Sequence, residues 1–206
     1  MALHGYGPGC CCNDVLGVQE SSFVNKLRLD VERYYMMRGR VAPLTTLQLV
    51  VRCLNPRLMP NVLLRAAEFF HAHHLGVFAK ICAALNMIFF GIEVSPLVEI
   101  GGGLSLPHTV GTVIGAASIG KNCTILQGVT LGSSEPDMGY TKSLRPVVGN
   151  DVYIGAGAKI VGAVVVSDYA KIGANAVVLC DVPEYGVAVG VPAKIKLRSA
   201  VESKVG

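Results

Sequence analysis

Between Val94 and Val178 an aliphatic residue returns at almost every sixth position: Val94, Ile100, Leu106, then Val113, Ile119, Ile125 and Leu131. After a gap the beat resumes at Val148, Ile154, Ile160, Val166, Ile172 and Val178. Four residues after nearly every hit stands a small or aliphatic side chain, among them Leu104, Val110, Ala117, Cys123, Val129, Val152 and Ala158. A period of six matches neither an α-helix nor the alternation of a single strand. It is the signature of a coiled parallel β-helix, in which three six-residue edges make one triangular coil and the hits fill the interior. Neighbouring coils then stack about 4.8 Å apart.

Upstream the pattern is helical. Ser21 or Ser22 is placed to cap a helix running to about Arg38, with Phe23, Leu27 and Val31 on one stripe. Pro43, Pro56 and Pro60 punctuate the segment beyond it, so several short helices are expected up to about Phe90. The expected class is α+β: an N-terminal α-helical region, then a parallel β-helix of hexapeptide repeats. The divisions read from the sequence are a Gly- and Cys-rich tail at residues 1–20, helices at 21–91, the coil at 92–196 and a tail at 197–206. Gly186 to Lys196 closes the coil.

The beat fails twice. Leu106 to Val113 spans seven positions, one too many, and His108 lies inside the excess. Leu131 to Val148 spans seventeen, so about eleven residues of SSEPDMGYTKSLRP are extruded as a loop. Breaks in a consistent local rule are where function is expected. Counting edges puts His108, Gln127–Gly128, Ala156–Gly157 and Ala174 on one strip between two columns of hits, with the loop leaving from the adjoining face. A histidine beside a strip of small residues describes a groove for an extended ligand.

Charge and cysteines narrow the setting. Residues 1–91 hold nine Lys/Arg against five Asp/Glu and residues 92–206 hold nine of each, so the whole surplus of +4 lies in the first half. Such a half could meet a membrane surface or an anionic partner; no nucleic-acid partner is expected. No secretory signal opens the chain, and the uncharged run from Ile81 to Ile92 is too short to span a bilayer. Seven cysteines in no recognised framework point to reduced thiols and a cytoplasmic protein. Cys10, Cys11 and Cys12 could bind metal or carry an acyl chain, but read best as incidental. Glu68, His71 and His74 would share a helix face as a possible ligand set, which nothing nearby completes; no metal is assigned.

His108 is the one histidine of the repeat. A free imidazole, with a pKa of about 6.5, is available as a base at neutral pH and could take the proton of an acceptor hydroxyl attacking a thioester. Glu93, fifteen residues earlier, could orient the ring and stabilise its charged form. Backbone N–H groups near Gly132 could hold the developing oxyanion.

The stretches GIEVSPLVEIGGGLSLPHTVGTVIG, ILQGVTLG, VGNDVYIGAGAKIVG and VGVPAKI resemble the hexapeptide-repeat acyltransferases, most of all serine O-acetyltransferases and their relatives in polysaccharide operons. The resemblance runs from about Ser22 to Lys196. It implies a left-handed coil, a trimer or dimer of trimers, and acetyl-CoA as co-substrate in a groove between subunits. It matches His108 to the catalytic histidine and Glu93 to its acidic partner. Ala156, Ala174 and Lys194 match positions lining the coenzyme groove. Two positions depart from the family pattern. Pro107 stands where Asp usually precedes the histidine, and Leu144–Arg145 stands in place of an Arg-His pair, leaving Arg145 as the basic group on the acceptor side. The implied activity is O-acetyl transfer to serine or, alternatively, to a sugar hydroxyl. Zinc hydratase chemistry on the same coil needs three histidines and is excluded, while a non-catalytic trimeric scaffold remains a competing reading.

Overall fold

The computed structural model describes residues 22–40, 44–137 and 139–197, so Cys10, Cys11, Cys12 and both expected tails up to Ser21 and beyond Leu197 lie outside the described residues. Four helices come first: α1 (Phe23–Met36), α2 (Thr46–Cys53), α3 (Met59–Ala72) and α4 (Gly76–Phe90). Ser22 holds the N-cap position of α1 in extended backbone. Leu27, Val31 and Tyr34 form its buried stripe against Leu44, Leu49 and Leu58. A reciprocal capping box starts α2, with Gln48 N–H donating to Thr45 Oγ1 and Thr45 N–H donating to Gln48 Oε1. Pro60 sits in the first turn of α3, where its missing N–H costs nothing. Because α3 ends at Ala72 and His74 has φ 59°, His74 is off the helix and does not share a face with Glu68 and His71. Glu68 is instead ion-paired with Arg65 at 2.9 Å and Lys26 at 3.6 Å. No helix among the described residues is long and apolar enough to cross a membrane.

From Ile92 the chain winds through three sheets. Sheet I stacks β1 (Ile92–Val94), β3 (Thr112–Ile114), β6 (Thr130–Gly132), β9 (Lys159–Val161) and β12 (Val177–Val178). Sheet II holds β2 (Glu99–Ile100), β4 (Ser118–Ile119), β7 (Val147–Val148) and β10 (Val165–Val166). Sheet III holds β5 (Thr124–Ile125), β8 (Tyr153–Ile154), β11 (Lys171–Ile172), β13 (Gly186–Val189) and β14 (Lys194–Leu197). Every pairing is parallel except the closing β13–β14 hairpin. This is the expected class, helices followed by a parallel β-helix. Tyr153 pairs with Lys171 and Lys159 with Val177, a coil of eighteen residues in each case. Ile125, Leu131, Ile154, Ile160, Val166, Ile172 and Val178 are wholly buried, so a continuous aliphatic column fills the prism without any aromatic side chain among its fully buried residues.

The first coil departs from the hydrophobic count. Ile92 pairs with Thr112, so this turn has twenty residues, two extra rather than one. An even insertion combined with the β-register puts Ile114, not Val113, in the column of Val94 and Leu131. Ile114 is buried and Val113 faces outward in line with Glu93. The residue is given back before β4, since only five positions separate Ile114 from Ile119. Val110, expected inward, lies on the bulge and is 74% exposed.

The helices dock on the first coil through a buried charge network. Arg65 donates from Nε and Nη2 to Asp30 (2.9 and 3.1 Å), and to the carbonyls of Ile100 (2.9 Å) and Gly101 (2.6 Å). Asp30 also accepts from the backbone N–H of Leu104 at 2.8 Å and from Asn61, whose amide reaches Leu104 O as well. Gly102 packs directly under α1: a Cβ there would meet Leu29 at 2.5 Å. Breaking a satisfied buried pair strands the remaining charge and typically costs about 3–5 kcal/mol. Arg65→Leu and Asp30→Leu should therefore each lower the melting temperature sharply, whereas the double substitution should recover part of the loss; thermal denaturation of the four proteins checks this.

Candidate active site

The bulge that carries His108 lies at the corner between sheets III and I. Ser105 bridges to Thr124 of sheet III before it, and β3 of sheet I begins after it. Two contacts fix its shape from below: Thr109 Oγ1 donates to Phe90 O at 2.7 Å, and Gly111 N–H donates to Gly91 O at 2.8 Å. From above, Gly128 N–H donates to Val110 O at 3.1 Å. His108, between these clamps, is exposed and makes no side-chain hydrogen bond or ion pair among the described residues. The ring projects to solvent rather than into the aliphatic column.

The same corner repeats on each coil above. Gly157 N–H donates to Gln127 O and Asn175 N–H to Ala156 O, both at 2.8 Å, so Gln127, Ala156 and Ala174 stand one over another. The turn joining β13 to β14 completes the stack, with Ala193 N–H on Val177 O at 2.8 Å, and Lys194 comes next, exposed. From the His108 bulge to this turn is four rungs, roughly 19 Å. Gly157, at φ +73°, has no room for a side chain, because a Cβ would lie 2.0 Å from Asn175 Oδ1. The structure thus brings Ala156, Ala174 and Lys194 into one line that begins at His108.

Glu93 points outward from β1 on the adjacent face, in one row with Val113, Thr130, Lys159 and Val177. No hydrogen bond or ion pair joins it to His108 in the single chain. Lys159 in that row is a feature that the hexapeptide count did not single out. Its ammonium donates to Gly128 O at 2.6 Å and Thr130 Oγ1 at 3.0 Å, tying the sheet to the corner. Gly132 ends β6 opposite Val161, and Gly162 N–H donates to its carbonyl at 2.9 Å. In a parallel ladder of that register the Gly132 N–H faces the Ile160 carbonyl, so the free amides begin after it. A Cβ at Gly132 would meet nothing within 4 Å, which leaves the space above it open.

The extruded loop, residues 133–146, leaves after β6 and is held down by Arg145. This guanidinium is buried, donates to Gly115 O (3.0 Å) and to both the carbonyl and the carboxylate of Asp137 (3.2 and 3.0 Å), and lies 3.8 Å over the Tyr140 ring. Tyr140 donates in turn to Ala116 O at 2.8 Å. Arg145 is thus committed inside the loop, and its buried Nε has no hydrogen-bond partner among the described residues. Leu144 stands 43% exposed beside it. A cleft of about 940 Å3 separates this loop from the end of α3 across sheet II, lined by Glu68, His71, Glu99, Tyr140, Lys142 and Asn150. Neither His108 nor the groove residues border it. The sequence offered Glu68, His71 and the extruded loop separately, and only the fold brings them to face one another across it.

Known proteins resemble the chain in sequence and in fold. Residues 145–180 match the family model described as bacterial transferase hexapeptide (six repeats). The chain is 42% identical over 146 residues to a serine acetyltransferase of Helicobacter pylori, covering 70% of this chain and 83% of that protein. It belongs to the serine acetyltransferase family. Among solved structures, a serine acetyltransferase in complex with CoA superposes with TM-score 0.71 at 30% identity, over 84% of this chain and 69% of the other. Soybean serine acetyltransferase complexed with serine gives TM-score 0.71 at 30% identity, over 85% and 70%. This serine acetyltransferase homologue accordingly shares their helical region and left-handed β-helix.

Its loop should be pH-sensitive. Burial acts to raise the Asp137 carboxyl, but the Thr141 N–H, Arg145 and the Thr141 hydroxyl together hold it below the ordinary aspartate range. A carboxylate depressed on folding contributes stability above its unfolded pKa and loses it as pH falls through the folded value. Protection of the loop amides, corrected for intrinsic exchange, should be present at neutral pH and vanish in acid. At neutral pH, Asp137→Asn should speed tryptic cleavage after Lys142 several-fold.

Proposed function

We propose that the protein transfers the acetyl group of acetyl-CoA to the hydroxyl of serine, with His108 as general base. The observation that carries this reading is the placement of His108. The one imidazole of the coil projects outward from a clamped bulge, at the start of a line of small residues long enough for an extended thioester coenzyme. Family membership supplies the reaction class, through relatives that are serine acetyltransferases.

The chemistry derives from the groups present. The imidazole takes the hydroxyl proton as the oxygen attacks the thioester carbonyl, forming the C–O bond and a tetrahedral oxyanion. Collapse breaks the C–S bond, and the imidazolium returns its proton to the departing thiolate. Glu93, on the adjoining face, stabilises the transient imidazolium. Amides following Gly132 are the donors for the oxyanion. Ala156 and Ala174 leave room for the coenzyme, and Lys194, four rungs from His108, neutralises a phosphate at its far end. Arg145 serves the acceptor side through the loop it holds. A prism corner is convex in one chain, so a neighbouring subunit is needed to wall the groove, which is the reason to assign a homotrimer or a dimer of trimers. The described cysteines Cys53, Cys82, Cys123 and Cys180 are free thiols, which supports a reducing cytoplasm.

A second acceptor, a sugar hydroxyl, is favoured by one observation: Arg145 is tied within its loop and Leu144 is apolar, leaving no basic pair there for an amino-acid carboxylate. Thiol release from acetyl-CoA, measured against serine and a panel of sugars, decides between them. His108→Ala should keep the fold by circular dichroism and lower kcat by about 10²–10⁴. Glu93→Gln should lower kcat less. Full turnover in His108→Ala, or no release with any acceptor, would overturn the assignment in favour of a scaffold.

A further inference from the structure

From Arg33 to Ala67 the chain contains no Asp or Glu and six arginines: Arg33, Arg38, Arg40, Arg52, Arg57 and Arg65. Arg65 is buried in the Asp30 network and Arg33 reaches Thr124 of the coil. The other four remain available: Arg38, Arg40 and Arg57 are exposed and Arg52 is half-exposed. In their midst α2 is turned inside out. Only Leu49 of this helix is buried. Leu47, Val50, Val51 and Leu54, at the spacing of one helical ridge, are 75%, 59%, 59% and 73% exposed. Met36 and Met37 at the end of α1 add to the apolar surface. Arg38 and Arg52 lie over the successive rings of Tyr34 and Tyr35 at 4.1 and 4.2 Å, which anchors both cations at the α1–α2 junction.

An apolar helical ridge bordered by cations, with no carboxylate in the segment, has the composition of a surface that lies in a bilayer interface. We propose that α2 and its arginine border dock this protein on anionic lipid membranes. The ridge enters the acyl boundary, and Arg38, Arg40, Arg52 and Arg57 meet lipid phosphates. Charge decides against a second copy of the same face as the occupant, since four arginines would be set against four. A nucleic acid would match the arginines but leave the aliphatic ridge without a partner, and no exposed aromatic ring of α2 offers a base to stack on. An eight-residue helix without an acyl chain gives weak, reversible attachment, strengthened by each additional cation near the surface. The surface is separate from the His108 corner, so its failure and that of the catalytic reading are distinguishable.

The test is co-sedimentation of the full chain with vesicles of phosphatidylcholine alone and of an equal mixture with phosphatidylglycerol. Binding is expected only to the anionic vesicles, weakening as salt rises. Leu47→Gln with Leu54→Gln, and separately Arg38→Gln with Arg57→Gln, should each reduce the bound fraction about tenfold, with melting temperature and thiol-release rate unchanged. Equal binding to neutral vesicles, no binding to either, or undiminished binding of both variants would overturn the proposal. So would a smaller assembly for the Leu47/Leu54 variant by light scattering, which would make the ridge a subunit contact.

Discussion

The Asp30–Arg65 pair is the constraint on which the arrangement rests. A parallel coil ends in a rung whose carbonyl and amide groups have no further rung to bond. Here the last turn before the helices presents Ile100 O, Gly101 O and both polar groups of Leu104, and the pair and Asn61 answer all of them. All five guanidinium N–H directions of Arg65 are occupied once Glu68 is included. Such a network is costly to desolvate and equally costly to leave incomplete, so it specifies one docking geometry rather than merely adding stability. With α1 and α3 locked there, α4 delivers the chain through Gly91 into β1, and the coil has a defined first rung.

Once that rung is set, regularity itself builds the site. Each coil places its corner over the preceding corner, so a single irregularity is aligned automatically with small residues from every later turn. The bulge at His108 is held by three contacts, Thr109 on Phe90, Gly111 on Gly91 and Gly128 on Val110. The extruded loop obeys the opposite principle. It has no repeat to lean on and is fixed by its own polar contacts, in which Arg145 serves Asp137, Tyr140 and Gly115 together. The coil therefore supplies a regular line of stacked corners, and the loop is a separate unit set by its own side-chain contacts.

Some of this was legible in the chain. The six-residue beat is read from single residues because every inward slot meets the same environment, so Ile125, Ile154 and Ile172 announce one column without knowledge of the fold. His108 was visible for the same reason, as the polar residue inside a broken count. The parity of β3 was not. Thr112, Val113 and Ile114 are all β-branched, and nothing local says which of them turns inward; the contacts of the bulge with residues 90 and 91 choose Ile114. Likewise, the resemblance offered Arg145 as the basic group on the acceptor side, and only its neighbours show it to be a buried clamp.

The division between the two kinds of information has a physical basis. The order of residues was enough for whatever depends on period and composition: a helical segment, a triangular coil, two interruptions, one imidazole in the repeat and a basic first half. The folded chain was needed for whatever depends on long-range pairing: that Asp30 meets Arg65 thirty-five positions away, that α2 presents Leu47 to solvent and buries only Leu49, and that His108 begins a line of stacked corners. Periodic burial is a sum of identical local choices and survives in one dimension. A contact between distant side chains depends on where the whole backbone carries them, and that is settled only when the rungs are stacked.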